Sequence, residues 1–112
     1  MAAFNYMVEH SLNYDMVFQA LADKTRRDIV RRTLGSDCTI SELSESYRMS
    51  FAAVAKHVNV LARAHLVHKA RHGREQIVQA NVKTISSVAA VLVTSENMWV
   101  ARFNRLDELL QE

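Results

Sequence analysis

Cysteine occurs once in the 112 residues, at Cys38. A single thiol can form neither an internal disulfide nor a thiolate zinc cluster. Proline is absent, and the only glycines are Gly35 and Gly73. So few chain breakers argue for helices joined by short turns and against a loop-rich all-β fold. They also exclude a glycine-rich phosphate loop. The longest apolar run, Val88-Ala89-Ala90-Val91-Leu92-Val93, is far short of the roughly 20 residues that a membrane span requires. The opening Met1-Ala2-Ala3-Phe4 has no basic region leading into an apolar stretch, as a secretory signal has. The expectation is a soluble cytoplasmic protein with no membrane partner.

The 12.7 kDa chain is sized for one domain spanning residues 1–112. Its apolar share of 49% is enough to build a core. A formal charge of +2 is too small for a histone-like polyanion binder, yet it hides a segregation. Residues 24–83 carry 12 basic and 5 acidic side chains, whereas both flanks are net acidic. From Arg48 to Arg74 there are six Lys or Arg, four His and no acid. A basic centre between acidic ends is the electrostatic footprint of a nucleic-acid binder, although a solvated charged face has the same composition.

The apolar pattern predicts the elements. Residues 15–22 read as a helix with Met16, Val17, Ala20 and Leu21 inward; residues 2–10 read as either a short helix or an arm. Asp23 caps a helix over 24–34 that turns Ile29, Val30, Thr33 and Leu34 inward and that Gly35 stops. Thr39-Ile40-Ser41-Glu42 is a capping-box pattern opening a short helix through Tyr47. Arg48-Met49 is a tight turn, and Ser50 caps a helix over 51–64 with the core stripe Val54, Val58 and Leu61. The period then shortens: residues 66–71 and 75–80 alternate around His72-Gly73-Arg74, predicting a basic-tipped β-hairpin that must pack on the helices. Asn81 caps a final helix over 82–110. Its length exceeds so small a core, so it either meets a second copy of the chain or breaks near Thr94–Asn97.

Two helices across a tight turn, followed by a hairpin, form the winged helix-turn-helix arrangement, mainly α with a small hairpin. The second helix is the reading helix. Ser50 and Phe51 lie at its N-terminus, where amide hydrogens favour a phosphate. Ala52, Ala55, Lys56 and Asn59 should face base edges, Lys56 donating to guanine and Asn59 pairing with adenine, or either touching phosphate. His57 either contacts a base or packs. Arg48, Arg71, His72 and Arg74 should meet backbone or minor groove.

Phe18-Gln19-Ala20-Leu21-Ala22-Asp23-Lys24-Thr25-Arg26-Arg27-Asp28-Ile29-Val30 resembles the opening signature of the ArsR-type winged-helix repressors. Thr39 to Leu43 with Met49 to Leu61 resembles their helix-turn-helix, and Leu66-Val67, Gly73-Arg74 and the trailing strand resemble their wing. Met98-Trp99 through Leu110 resembles the C-terminal helix of the branch without a classical metal site. The resemblance implies a homodimeric repressor on a twofold-symmetric operator in double-stranded DNA. It also implies a dimer interface built from the first helix, with Val17 and Leu21, and the last, with Leu92, Trp99, Phe103, Leu106 and Leu110. This chain departs from the pattern at Lys24, where proline is usual, and at Phe51-Ala52. It departs again at Ala64-His65, where His65 must take a left-handed backbone.

The family's thiolate positions fall on Thr39 and Ser41, and residues 82–112 contain no histidine, so no metal or cofactor is expected and no inducer is indicated. Cys38 reads as a buried small hydrophobe or, alternatively, a redox switch. No nucleophile–base set or paired carboxylates is indicated, so an enzyme is not expected. The rival to DNA binding is a winged-helix protein-interaction module, with Phe51 as its aromatic anchor.

Overall fold

The computed structural model describes residues 12–111, apart from the side chain of Trp99; the segment 2–10 lies outside them. Five helices and three strands follow in the order α1 (Tyr14–Ala20), α2 (Lys24–Gly35), β1 (Cys38–Thr39), α3 (Ile40–Tyr47), α4 (Phe51–Arg63), β2 (Val67–His72), β3 (Glu75–Ala80) and α5 (Val82–Leu110). Among the described residues no helix is long and apolar enough to cross a membrane.

Polar caps set the helix starts. Asp23 accepts from the Arg26 amide at 3.0 Å, Thr39 from Glu42 at 3.0 Å, Ser50 from Ala53 at 3.1 Å and Asn81 from Thr84 at 3.4 Å. Each satisfies an amide that the first helical turn leaves without a partner. Between α3 and α4, Arg48 takes the left-handed conformation at φ 54°. The Met49 amide returns to the Ser44 carbonyl at 3.1 Å, while the Ser44 hydroxyl donates to the Met49 carbonyl at 2.5 Å. This turn fixes the angle between the bracing and reading helices.

The core gathers Val17 and Ala20 of α1, Ile29 and Val30 of α2, Ile40 and Leu43 of α3, Val54, Val58 and Leu61 of α4, Leu66 just before β2, Val67 and Val78 of the sheet and Val88 of α5. The stripe on α4 is completely buried, so this helix is seated by one face and leaves the opposite one free.

The sheet corrects one expectation. A third strand, β1, pairs antiparallel with β3 through Cys38↔Val78 and Thr39↔Ile77, giving the order β1-β3-β2. Thr39 serves both as the last strand residue and as the cap of α3. The wing is therefore anchored to the start of the helix-turn-helix rather than resting on it. Its turn is also tighter than expected: His72 pairs with Glu75, leaving Gly73 and Arg74 as the connection, with Gly73 at φ 61°.

Four other expectations are revised. Gly35 is the last residue of α2, and Ser36 caps it. Leu34 lies about 140° round the helix from Ile29, beyond the buried arc, and is 50% exposed. Met16 is also exposed, whereas Val17 has no accessible surface even within its own chain. Val17 therefore belongs to the core and cannot meet a partner, contrary to its placement at a dimer interface. Leu21 is half-buried.

The expected left-handed residue is present: His65 has φ 62° and is exposed. A side chain there crowds its own carbonyl, a cost glycine avoids. Replacing His65 by glycine is expected to raise stability by about 0.5–1 kcal/mol, read as a higher urea midpoint at unchanged slope. A lower midpoint would show that the imidazole makes a compensating contact.

The final helix continues through Thr94–Asn97 to Leu110, so the alternative break is absent. At about 1.5 Å per residue it spans some 43 Å, and the molecule extends 66 Å along its longest axis. Val88 is buried and Ile85 packs beside it. Farther along, Leu92, Val93, Met98, Val100, Phe103, Leu106, Leu109 and Leu110 are all more than half exposed. An apolar surface of that extent is not covered by the described residues of its own chain.

Candidate nucleic-acid interface

The outward face of α4 follows from its buried one. At about 100° per residue, Ala52, Lys56, Asn59 and Arg63 fall within about 60° of arc opposite Val54, Val58 and Leu61. Ala52, Lys56 and Arg63 are exposed and Asn59 is half-buried. The face begins with a methyl group, where a helix can approach closely, and becomes cationic toward its C-terminal end. Phe51 is 52% exposed at the first helical position. The Ser50 hydroxyl oxygen is taken by the Ala53 amide, but its O–H remains able to donate to a phosphate.

The two flanks of α4 are engaged differently. On one side His57 turns away from the outward face. Its Nδ1 lies 3.4 Å from a terminal guanidinium nitrogen of Arg26 and 4.0 Å from the Asp23 carboxylate. Arg26 also donates to the Ala20 carbonyl at 2.6 Å and the Gln19 carbonyl at 3.1 Å, so it clamps the α1–α2 connection. The Arg26 amide holds the Asp23 carboxyl below its ordinary range, with the nearby His57 and the Arg26 guanidinium acting in the same direction. Of the two readings left open for His57, base contact or packing, this geometry supports packing.

The other flank faces the wing. Ala55 is half-buried there. Lys69 of β2 donates to Asn59 Oδ1 at 2.6 Å, a contact between residues ten apart that no sequence period announces. At the wing tip His72 and Arg74 are exposed, while Arg71 Nε folds back to the Gly73 carbonyl at 3.3 Å. Arg48 is exposed on the α3–α4 turn. The outward face of α4 and the wing tip are thus both open, and both are cationic.

Behind the reading helix, α3 is pinned to α2. The Tyr47 hydroxyl donates to Asp28 at 2.5 Å, Arg32 donates to the Ser46 hydroxyl at 2.6 Å, and the Arg32 guanidinium lies 5.4 Å from the Tyr47 ring centre. Burial and the Asp28 carboxylate push the Tyr47 phenol up to about 12. In return, the Tyr47 hydroxyl and Arg31 draw Asp28 down. This cluster braces the helix-turn-helix and lies off its outward face. Cys38, in strand β1, is buried, and burial raises its thiol. A protonated, enclosed thiol is a poor redox nucleophile, which favours the packing reading. Among the described residues no three His, Cys, Asp or Glu side chains are grouped to hold a metal.

A braced helix with a free cationic face, beside a sheet-anchored hairpin with a cationic tip, defines a winged helix-turn-helix regulator. The chain is 30% identical over 96 residues to the HTH-type transcriptional regulator Rv2034 of Mycobacterium tuberculosis, covering 86% of this chain and 87% of that one. It is 33% identical over 58 residues to the transcriptional repressor SdpR of Bacillus subtilis, covering 52% of this chain and 64% of the repressor. The solved structure of an ArsR-like transcriptional regulator from Rhodococcus superposes with a TM-score of 0.70 at 29% identity, over 85% of this chain and 90% of that one. No family model matches the chain. The chain belongs to the ArsR family of winged helix-turn-helix transcriptional regulators.

Proposed function

We propose that the protein is a homodimeric repressor, one domain per subunit, that binds a twofold-symmetric operator in double-stranded DNA. The observation that carries this reading is the outward face of α4, uncovered and acid-free, with the wing beside it. Ala52, Ala55, Lys56 and Asn59 approach base edges; Ser50, Phe51, Arg48 and the wing residues Arg71, His72 and Arg74 position the backbone. His57 supports the helix from behind. The second copy covers the exposed stripe of α5, with Leu92, Phe103, Leu106 and Leu110 at the twofold axis and Trp99 and Leu21 contributing to the same interface. Family membership places the chain among regulators rather than enzymes, and this reading assigns it no cofactor or metal.

Fluorescence anisotropy of labelled duplexes tests the reading. Specific affinity is expected to fall by about 10³-fold or more between 50 and 200 mM salt, as counterions are released from the contacted phosphates. Lys56→Ala should weaken binding by about tenfold, within the range for one base-directed cation. Exposed Phe51 also suits a protein interface. That second reading predicts no sequence preference in DNA and no steep salt slope.

A further inference from the structure

We propose that Lys69 on the wing is a specificity-determining residue. By bonding Asn59 Oδ1, it competes with a base for that acceptor, leaves the Nδ2 hydrogens as the fully unengaged group at that position, and so favours guanine over adenine. The inference rests on the DNA-binding reading above and deepens it.

The amide orientation follows from the chemistry of the pair. A lysine ammonium has three donors and no acceptor, so the Asn59 atom 2.6 Å from Lys69 Nζ must be the carbonyl oxygen. The Nδ2 hydrogens are then unengaged, whereas Oδ1 keeps one of its two lone pairs. Asn59 shares the outward arc of α4 with Ala52 and Lys56, and its neighbour across the groove between helix and wing is the ammonium itself. Together they form a donor-rich pair.

Base edges answer such a pair unequally. Guanine displays two acceptors in the major groove, N7 and O6; adenine displays the N7 acceptor beside the N6 donor. An asparagine with both amide atoms free pairs with adenine in two bonds, its oxygen accepting from N6 and its nitrogen donating to N7. With one Oδ1 lone pair committed to Lys69, the first of those bonds must share the oxygen and the adenine amino group lies beside the ammonium donors, so the adenine pairing is weakened. On this inference Asn59 favours guanine over the adenine expected of an asparagine with both amide atoms free. The wing acts here through the reading helix, in addition to any phosphate that Lys69 touches.

The experiment compares the full-length protein with its Lys69→Met, Lys69→Arg and Asn59→Ala variants. Bound duplexes are selected from a random pool and sequenced, and affinities are then measured on paired sites differing at one base pair. Lys69→Met keeps the aliphatic stem and removes the donors. It should shift the adenine-to-guanine affinity ratio at one position per half-site by about tenfold toward adenine. Lys69→Arg, which still donates, should keep the guanine preference. The shift on Lys69→Met should vanish when Asn59→Ala is also present. A uniform loss of affinity with unchanged base preference would make Lys69 a phosphate contact and overturn the proposal alone. So would a shift that persists without Asn59. A wild-type protein with no base preference anywhere would overturn the DNA-binding reading itself, and this proposal with it.

Discussion

A Phe103→Asp, Leu106→Asp double variant is expected to be a folded monomer that has lost about 10²–10⁴-fold in operator affinity. Phe103 is 66% and Leu106 52% exposed within one chain, so neither substitution opens the subunit core. Their apolar surface gains only from a partner, where fully burying a large side chain contributes roughly 1.5–3 kcal/mol. Aspartates brought together across a twofold axis add like-charge repulsion, and each charge opposes removal from water. The effect on DNA is geometric. Two reading helices must lie about 34–36 Å apart to enter successive major grooves. Separate subunits lose the effective concentration that makes the second contact intramolecular. Sedimentation equilibrium should move from about 25 kDa, twice the chain mass, to the 12.7 kDa of one chain. Circular dichroism should retain the helical spectrum. An unchanged dimer would place the interface elsewhere.

Leu61→Ala is expected to cost about 2–5 kcal/mol of stability. Leu61 is completely buried on the inner face of α4, in one cluster with Leu43 of α3 and Leu66 at the start of the wing. Truncation there leaves a cavity where three functional elements meet. Against a total stability of about 5–15 kcal/mol for a domain of ordinary size, the loss should be visible as a sharply lower urea midpoint. Lys56→Ala on the opposite face should stay within about 0.5 kcal/mol of wild type. The two variants therefore separate seating from reading: Leu61→Ala lowers stability first, and Lys56→Ala lowers affinity alone. Equal stability of the two proteins would mean that α4 is not held by the stripe that defines its free face.

The helices were legible because their boundaries are chemically marked. Asp23, Thr39, Ser50 and Asn81 are caps that need only their own following amides, so local sequence determines them. The buried stripe of α4 and the length of α5 were legible for a similar reason, since periodicity and chain length are properties of one element. What escaped depends on tertiary placement. Strand β1 is too short to show alternation, and its threonine also serves as a helix cap. Val17 reads equally well as core or interface until the packing of α1 on α4 is known. His57 carries a charge-capable ring in the reading helix, and only the proximity of Asp23 and Arg26 on one flank favours packing over base contact. The Lys69–Asn59 bond joins a helix to a strand across a turn, and neither residue stands out where it lies in the chain.

Selection of bound fragments from a random duplex pool, followed by mass determination of the complex, tests the central claim most directly. The account predicts a twofold-symmetric sequence whose half-sites are centred about one helical turn apart, bound by two chains with an affinity well beyond the micromolar ceiling of non-specific binding. An unenriched pool, or a single asymmetric site held tightly by one chain, would contradict it.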